Sequence, residues 1–226
     1  VNEEIRDNIE KSLEKNTSKK YFFGKDFNIT NSENGFIQYQ DELGEMILPE
    51  PNVHGNHQLY NISTSIAASR KIFNIRDKDV INGIQNISLK GRLEEIKSGK
   101  LKAIAGNNRL IIDGGHNISA SMSIANWVKN QNEEVNLIVG MMKDKEHLKF
   151  MEAFQDIVNS VTLIDIPNQA SAIFKEDLKR KLDKLKLNLK LSNSIEESIK
   201  TLSTNENTII LCVGSLYLAG EILSLN

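Results

Sequence analysis

Three apolar runs in the second half of the chain each end in glycine. They are Leu110-Ile-Ile112 before Asp113-Gly-Gly115, Leu137-Ile-Val139 before Gly140, and Ile209-Ile-Leu-Cys-Val213 before Gly214-Ser215. Each glycine leads, directly or through a charged loop, into a helical pattern. Short apolar runs alternating with helical periods imply a mostly parallel sheet with helices on both faces. In such a sheet the three runs end on one edge. Gly114, Gly140 and Gly214 then line one crevice, with Asp113, His116, Lys143 and Ser215 around it, which is where α/β proteins place ligands. At the first junction Asp113 can accept from a ribose hydroxyl or sit near a metal, and His116 can donate to a phosphate or carboxylate. The plainer reading is a tight turn in which Asp113 and Asn117 cap a helix.

The alternation runs from Leu93. Strands are expected at 93–96, 102–104, 110–112, 135–139, 161–165 and 208–213. Helices are expected at 117–131, with Ile118, Met122, Ala125 and Val128 as its apolar face, and at 146–158, 174–187, 194–203 and 215–223. The earlier part reads differently. A helical pattern over Glu3–Glu14 precedes short strand candidates at 21–23 and 27–29. Residues 35–40 and 44–48 alternate as a strand pair that Pro49 and Pro51 terminate. A helix then runs to about Phe73, its buried face supplied by Ile62, Ile66, Ala67, Ser69 and Ile72, and Asp77 can cap another carrying Val80, Ile81, Ile84 and Ile87. Lys90-Gly-Arg-Leu-Glu94 separates the two regions, giving domains 1–89 and 90–226. Arg92, at that junction, can reach a phosphate or be a surface arginine.

The 226 residues carry a net charge of −2, which gives no electrostatic case for a nucleic acid or anionic-membrane partner. The single cysteine, Cys212, lies inside an apolar run and reads as a small core residue, and no disulfide framework is possible. No apolar segment reaches membrane-spanning length and no secretory signal opens the chain, so a cytoplasmic protein is expected. His54 and His57 are three apart, but no third ligand completes a zinc set, and no metal site is expected within the chain. Asn61 follows His57 by one helical turn, where a side-chain amide can read a base edge or simply face solvent. Neither Gly-x-x-x-x-Gly-Lys-Ser/Thr nor Gly-x-Gly-x-x-Gly occurs, and no Ser-His-Asp set or cysteine nucleophile is evident.

The ordered series Gly55-Asn-His-Gln-Leu-Tyr-Asn61, Gly91-Arg-Leu-Glu94, Asp113-Gly-Gly-His-Asn117, Gly140-Met-Met-Lys-Asp-Lys145 and Gly214-Ser-Leu-Tyr-Leu-Ala-Gly-Glu221 resembles the folylpolyglutamate synthase/dihydrofolate synthase family of the Mur ligase superfamily. The resemblance implies a C-terminal α/β domain preceded by a small α+β piece that ends the ATPase domain. It also implies ATP-dependent joining of L-glutamate to folate or dihydropteroate through an acyl phosphate, by a monomer. In such enzymes the position of Asn61 contacts adenine, that of Arg92 the ATP phosphates, and that of Asp113 the ribose. Those of His116 and Ser215 attend the incoming glutamate, so Arg92 and His116 are the expected catalytic residues. The resemblance covers only the later half of such an enzyme. Its phosphate loop, folate pocket and magnesium-holding modified lysine correspond to sequence upstream of Val1, and the chain alone is not expected to turn over ATP. A non-catalytic nucleotide- or partner-binding module is the alternative. A peptidoglycan-precursor ligase is disfavoured by the Gly140 and Gly214 motifs. Lys90, Gly115 and Ile118 stand where proline, alanine and proline are usual, all at positions that shape the backbone.

Overall fold

A computed structural model describes residues 3–14, 16–31, 35–51, 53 and 56–226. His54 and Gly55 lie outside the described residues, as does the side chain of His57. The chain divides into two compact units, Val1–Glu50 with Leu59–Gln85, and Pro51–Gln58 with Asn86–Asn226.

The first unit contains α1 (Glu3–Ser12), an antiparallel sheet of β1 (Phe27–Asn31), β2 (Phe36–Asp41) and β3 (Gly44–Pro49), most of α2 (Asn56–Ile72), and α3 (Asp77–Gln85). Alternation decides which face is buried. Ile37 and Tyr39 of β2 and Met46 and Leu48 of β3 point inward, while Ile47 is 70% exposed. Ile62, Ile66 and Ala67 form the buried stripe of α2, with Val80 and Ile84 buried on α3. Ile72 is exposed, contrary to expectation. It lies six residues beyond Ile66, roughly 240° round the helix, which turns it off the stripe. Residues 21–23 do not form a strand. The Asp26 carboxylate accepts the Phe22 N–H, and Gly24 N–H bonds the Phe27 carbonyl. A tight turn therefore consumes the hydrogen bonds a ladder would need, leaving one bridge from Phe23 to Phe27.

The second unit is an α/β domain. Its strands are β4 (Glu94–Ile96), β5 (Arg109–Ile112), β6 (Val135–Val139), β7 (Ser160–Leu163), β8 (Leu189–Leu191) and β9 (Ile209–Val213), in the order β4-β5-β9-β6-β7-β8. All neighbours are parallel except β4, which pairs antiparallel with β5. Strands β6, β7 and β9 are buried at every residue, as a sheet covered on both faces requires. The helices α5 (Ile118–Lys129), α6 (His147–Glu152) and α7 (Lys175–Leu182) cover one face through Ile124, Val128, Phe150, Leu178 and Leu182, with Phe154 added from the turn after α6. The other face is covered by α4 (Lys100–Ala105), α8 (Ile195–Leu202) and α9 (Leu216–Leu225), through Leu101, Ile195, Ile199, Leu218 and Ile222. No helix among the described residues is long and apolar enough to cross a membrane.

Several local expectations fail here. Residues 102–104 are helical in α4, not extended. Leu101 and Ala105 bury one face at a spacing of four, and the Asn226 side chain accepts the N–H groups of Leu101 and Lys102 at the start of the helix. That cap comes from more than a hundred residues away in sequence, so no local pattern could announce it. Met122 of α5 is 64% exposed, and Ser121 and Ile124 hold the buried positions beside Ala125 and Val128. Helix α6 stops at Glu152, short of a turn in which Asp156 takes φ +61°. Helix α7 stops at Leu182, and Leu185 and Leu187 return in backbone turns. The short edge strand β8 had no sequence signal of its own.

Candidate active site

Strands β5 and β9 lie side by side and parallel, yet the chain leaves them toward opposite faces. After β5 it enters α5 on one face, and after β9 it enters α9 on the other. That divergence opens a crevice at the carboxyl ends of the strands, a topological switch point. The glycine junctions close its floor. Gly214 N–H donates to the Gly115 carbonyl at 3.0 Å, and Gly140 N–H to the Val213 carbonyl at 3.4 Å. Gly214 takes φ +106°, and a Cβ there would stand 2.7 Å from the Gly140 carbonyl oxygen. Only glycine allows the turn after β9 to pass so close to the end of β6. At Gly115 a Cβ would meet Ile124 Cδ1 at 2.8 Å and Asp113 Oδ1 at 2.9 Å. The Ile124 side chain fills that space.

Asp113 is buried, 6% exposed. Its Oδ1 accepts the Gly115 N–H at 2.6 Å, and its Oδ2 accepts the Leu93 N–H at 2.9 Å. It therefore ties the segment before β4 to the turn after β5, and the cap of α5 falls to Asn117, whose Oδ1 accepts the Ala120 N–H. His116 is half-buried and its Nδ1–H donates to the Gly114 carbonyl at 2.9 Å, which leaves Nε2 as the nitrogen for a ligand. Arg92 is half-buried, with Nη1 3.2 Å from the Gly91 carbonyl oxygen and so close to Gly114 that a Cβ there would stand 2.9 Å from it. It also borders a cavity of about 250 Å³ lined by Leu93, Glu94, Arg109, Ile111 and Trp127. Ser215 is buried, and its Oγ caps α9 by accepting the Tyr217 N–H at 3.1 Å. Its remaining capacity is as an O–H donor beside a helix N-terminus.

Arg92, Asp113, His116 and Ser215 thus meet around one crevice in the second unit. Lys143 turns elsewhere: its Nζ donates to the Ala170 carbonyl and lies 5.7 Å from the Phe174 ring centre. The residue of that loop facing His116 electrostatically is Asp144, whose carboxyl is held below its usual range by the adjacent Lys145 ammonium, with His116 adding to the effect. Asn61 sits exposed on α2 in the first unit, its carbonyl accepting the Ser65 hydroxyl. Sequence reasoning passed over His147. It is buried, its Nε2–H donates to the Met142 carbonyl and so braces the loop after Gly140, and desolvation pushes its pKa down. It quoted Glu94 as the end of the Gly91 motif but gave it no role; the Glu94 carboxylate accepts the Gly91 N–H at 2.8 Å. The signal was membership of a glycine motif for Glu94 and proximity to one for His147. No group of three or more His, Cys, Asp or Glu among the described residues could hold a metal ion, and the one carboxylate in the crevice floor is already committed to backbone N–H groups.

Comparison with known proteins bears on the same region. Residues 97–225 match the family model for the dihydrofolate synthetase C-terminal domain. The dihydrofolate synthase/folylpolyglutamate synthase of Buchnera aphidicola is 26% identical over 76% of this chain and 42% of its own length. A probable dihydrofolate synthetase of Schizosaccharomyces pombe is 21% identical over 80% of this chain and 48% of its own. The chain spans about half the length of these curated relatives. Solved structures agree in fold: E. coli FolC in complex with ADP superposes with a TM-score of 0.79 at 19% identity, over 96% of this chain and 50% of that one. The folylpolyglutamate synthase of Mycobacterium tuberculosis, complexed with ADP and AMPPCP, gives 0.82 at 16% identity, over 98% of this chain and 52% of that one. With more than half of its residues inside the family model, the chain belongs to the dihydrofolate synthase/folylpolyglutamate synthase family, whose C-terminal part it matches.

Proposed function

We propose that this chain works in an ATP-dependent amide ligase that joins L-glutamate to dihydropteroate, to folate, or to both. The observation that carries the reading is the switch-point crevice, where Arg92, Asp113, His116 and Ser215 converge in a chain of this family. Relatives solved with ADP, and with AMPPNP and a Mn ion, support nucleotide and metal as substrate and cofactor. E. coli FolC solved with DHPP supports a pterin substrate. Residues 1–89 would end the ATPase domain, and 90–226 would form the C-terminal domain. The protein would act as a cytoplasmic monomer with no nucleic-acid or membrane partner.

In this reading Asn61 contacts the adenine and Asp113 the ribose, while Arg92 supplies positive charge to the phosphates. Substrate carboxylate attacks the terminal phosphorus and ADP leaves. The glutamate amine then attacks the acyl carbonyl, the C–O bond to phosphate breaks, and the amine sheds a proton. His116 Nε2 and the Ser215 hydroxyl, beside the N-terminus of α9, would hold the glutamate carboxylate and orient that amine. Guanidinium charge matters most where phosphate charge is redistributed, which makes Arg92 the electrostatic contributor. The crevice does not fit Mg2+, and its ligands are assigned outside these residues. The phosphate loop is likewise assigned outside them.

The test is glutamate-dependent ADP release, with dihydropteroate and separately with a reduced folate. It is run on the 226-residue chain and on the same chain joined to a phosphate-loop-bearing half from a relative. Release by the joined protein alone supports the proposal, and the responding substrate names the activity. Turnover by the chain alone would overturn the placement of the phosphate loop. Silence from both would favour a non-catalytic binding module.

A further inference from the structure

Arg92 stands in a turn bracketed by two carboxylates. On its N-terminal side Glu94 Oε2 accepts the Gly91 N–H at 2.8 Å, while Oε1 takes the Lys90 ammonium at 2.8 Å. On its C-terminal side Asp113 Oδ2 accepts the Leu93 N–H at 2.9 Å. Between them the Gly91 carbonyl accepts the Gly114 N–H at 2.8 Å. The turn held in this way is not one the backbone would choose freely. Gly91 has φ +63° and Leu93, a buried leucine, has φ +44°, a conformation that persists in a non-glycine residue only when its surroundings over-determine it. A Cβ at Gly91 would touch Ala219 of α9 at 3.4 Å, so the turn also lies against the helix that follows Ser215. Arginine is a long, flexible side chain, and a guanidinium serves a phosphate best when its backbone is already fixed.

We propose that Glu94 is a positioning residue for Arg92, its carboxylate closing the Gly91–Leu93 turn against the Asp113–Gly114 turn so that the guanidinium is presented at the crevice. This rests on the assignment of Arg92 to the nucleotide phosphates. Glu94 touches no substrate in this scheme. Its charge is partly met by Lys90, and its work is done through one backbone N–H.

Two measurements test it. On the 226-residue chain, amide exchange at Gly91 and Leu93 is followed in Glu94→Ala and Glu94→Gln. Glu94→Ala is expected to speed exchange at both by about tenfold, the population change expected for losing one charged hydrogen bond. Glu94→Gln, whose amide oxygen can still accept the Gly91 N–H, is expected to keep most of the protection. Unchanged exchange in Glu94→Ala overturns the proposal. In the joined protein, Glu94→Ala is expected to raise the KM for ATP several-fold, with rescue by Glu94→Gln and no further loss when combined with Arg92→Ala. A rise with Arg92→Ala but none with Glu94→Ala means that Glu94 is structural only and overturns the proposal. No rise with Arg92→Ala removes the Arg92 assignment itself, and the proposal falls with it.

Discussion

At the scale of single residues, the crevice depends on the absence of atoms as much as on their presence. Gly214 combines a left-handed φ of +106° with a would-be Cβ at 2.7 Å from the Gly140 carbonyl oxygen, so an added methyl meets backbone that cannot yield cheaply. Gly214→Ala is expected to destabilise the chain by about 2–3 kcal/mol, strain and clash together, measured as a lowered urea midpoint at unchanged slope. Gly220 provides the control. It is an exposed glycine inside α9 with nothing within 4 Å of a Cβ, and Gly220→Ala is expected to stabilise by about 0.5–1 kcal/mol through helix propensity alone. Equal effects of the two would mean that the close passage of the turn after β9 does not limit stability. Asp113 belongs to this scale as well. A sequence reader sees a carboxylate before two glycines and weighs ligand against cap. The structure shows a third use, the bridging of two backbone segments, because its partner Leu93 lies 20 residues earlier in the chain.

At the scale of elements, α4 shows how a helix can be made by something distant. Its six residues are too few to be helical alone, since nucleation is unfavourable and short helices in water are marginal. Asn226 holds its start: Oδ1 accepts from Leu101 and Lys102, Nδ2 donates to the Ser98 carbonyl, and the Asn226 backbone carbonyl accepts the Lys100 N–H. Asn226→Ala is expected to lower stability by about 1 kcal/mol, with faster amide exchange confined to residues 99–103. A loss spread evenly over the sheet would argue that Asn226 supports packing rather than the cap. This is why the segment 102–104 could be read as a strand: over six residues Leu101, Ala103 and Ala105 fit a period of two as well as Leu101, Ile104 and Ala105 fit a helical one, and the deciding contact is not local. The longer α5 was legible because its Asn117 cap and its buried positions 124, 125 and 128 all lie within the helix's own sequence.

At the scale of the whole chain, stability is expected to follow pH through one buried imidazole. Desolvation lowers the pKa of His147 below 6.5, with Lys181 adding to the effect, while its bond to the Met142 carbonyl and the nearby Asp144 oppose it. As pH falls through 6.5 the unfolded chain binds a proton that the folded chain refuses. Unfolding free energy therefore falls with decreasing pH from about 6.5 down to the lowered folded-state value, by at most about 1.4 kcal/mol per pH unit for this one group. Urea denaturation at pH 7.5, 6.5 and 5.5 should show that decline, and His147→Gln, which can still donate to the Met142 carbonyl without titrating, should show less of it. An undiminished decline in the variant would assign the effect to other groups.

Sequence by itself determined the architecture of the second unit and the edge on which its glycine junctions meet. Burial on both faces writes continuous apolar strands, and chirality allows few ways to wind helices between parallel strands. It also carried the family, because the five motifs are local and ordered. Only tertiary structure decided the rest: that β9 inserts between β5 and β6, that β4 runs antiparallel at the edge, and that Lys143 turns toward Phe174 while Asp144 remains within the field of His116. It decided too that Glu94 and Asp113 bracket Arg92. The reason is common to all of them. Strand order and hydrogen bonds between segments far apart in sequence are settled by which surfaces pack together, and no window of neighbouring residues contains that information.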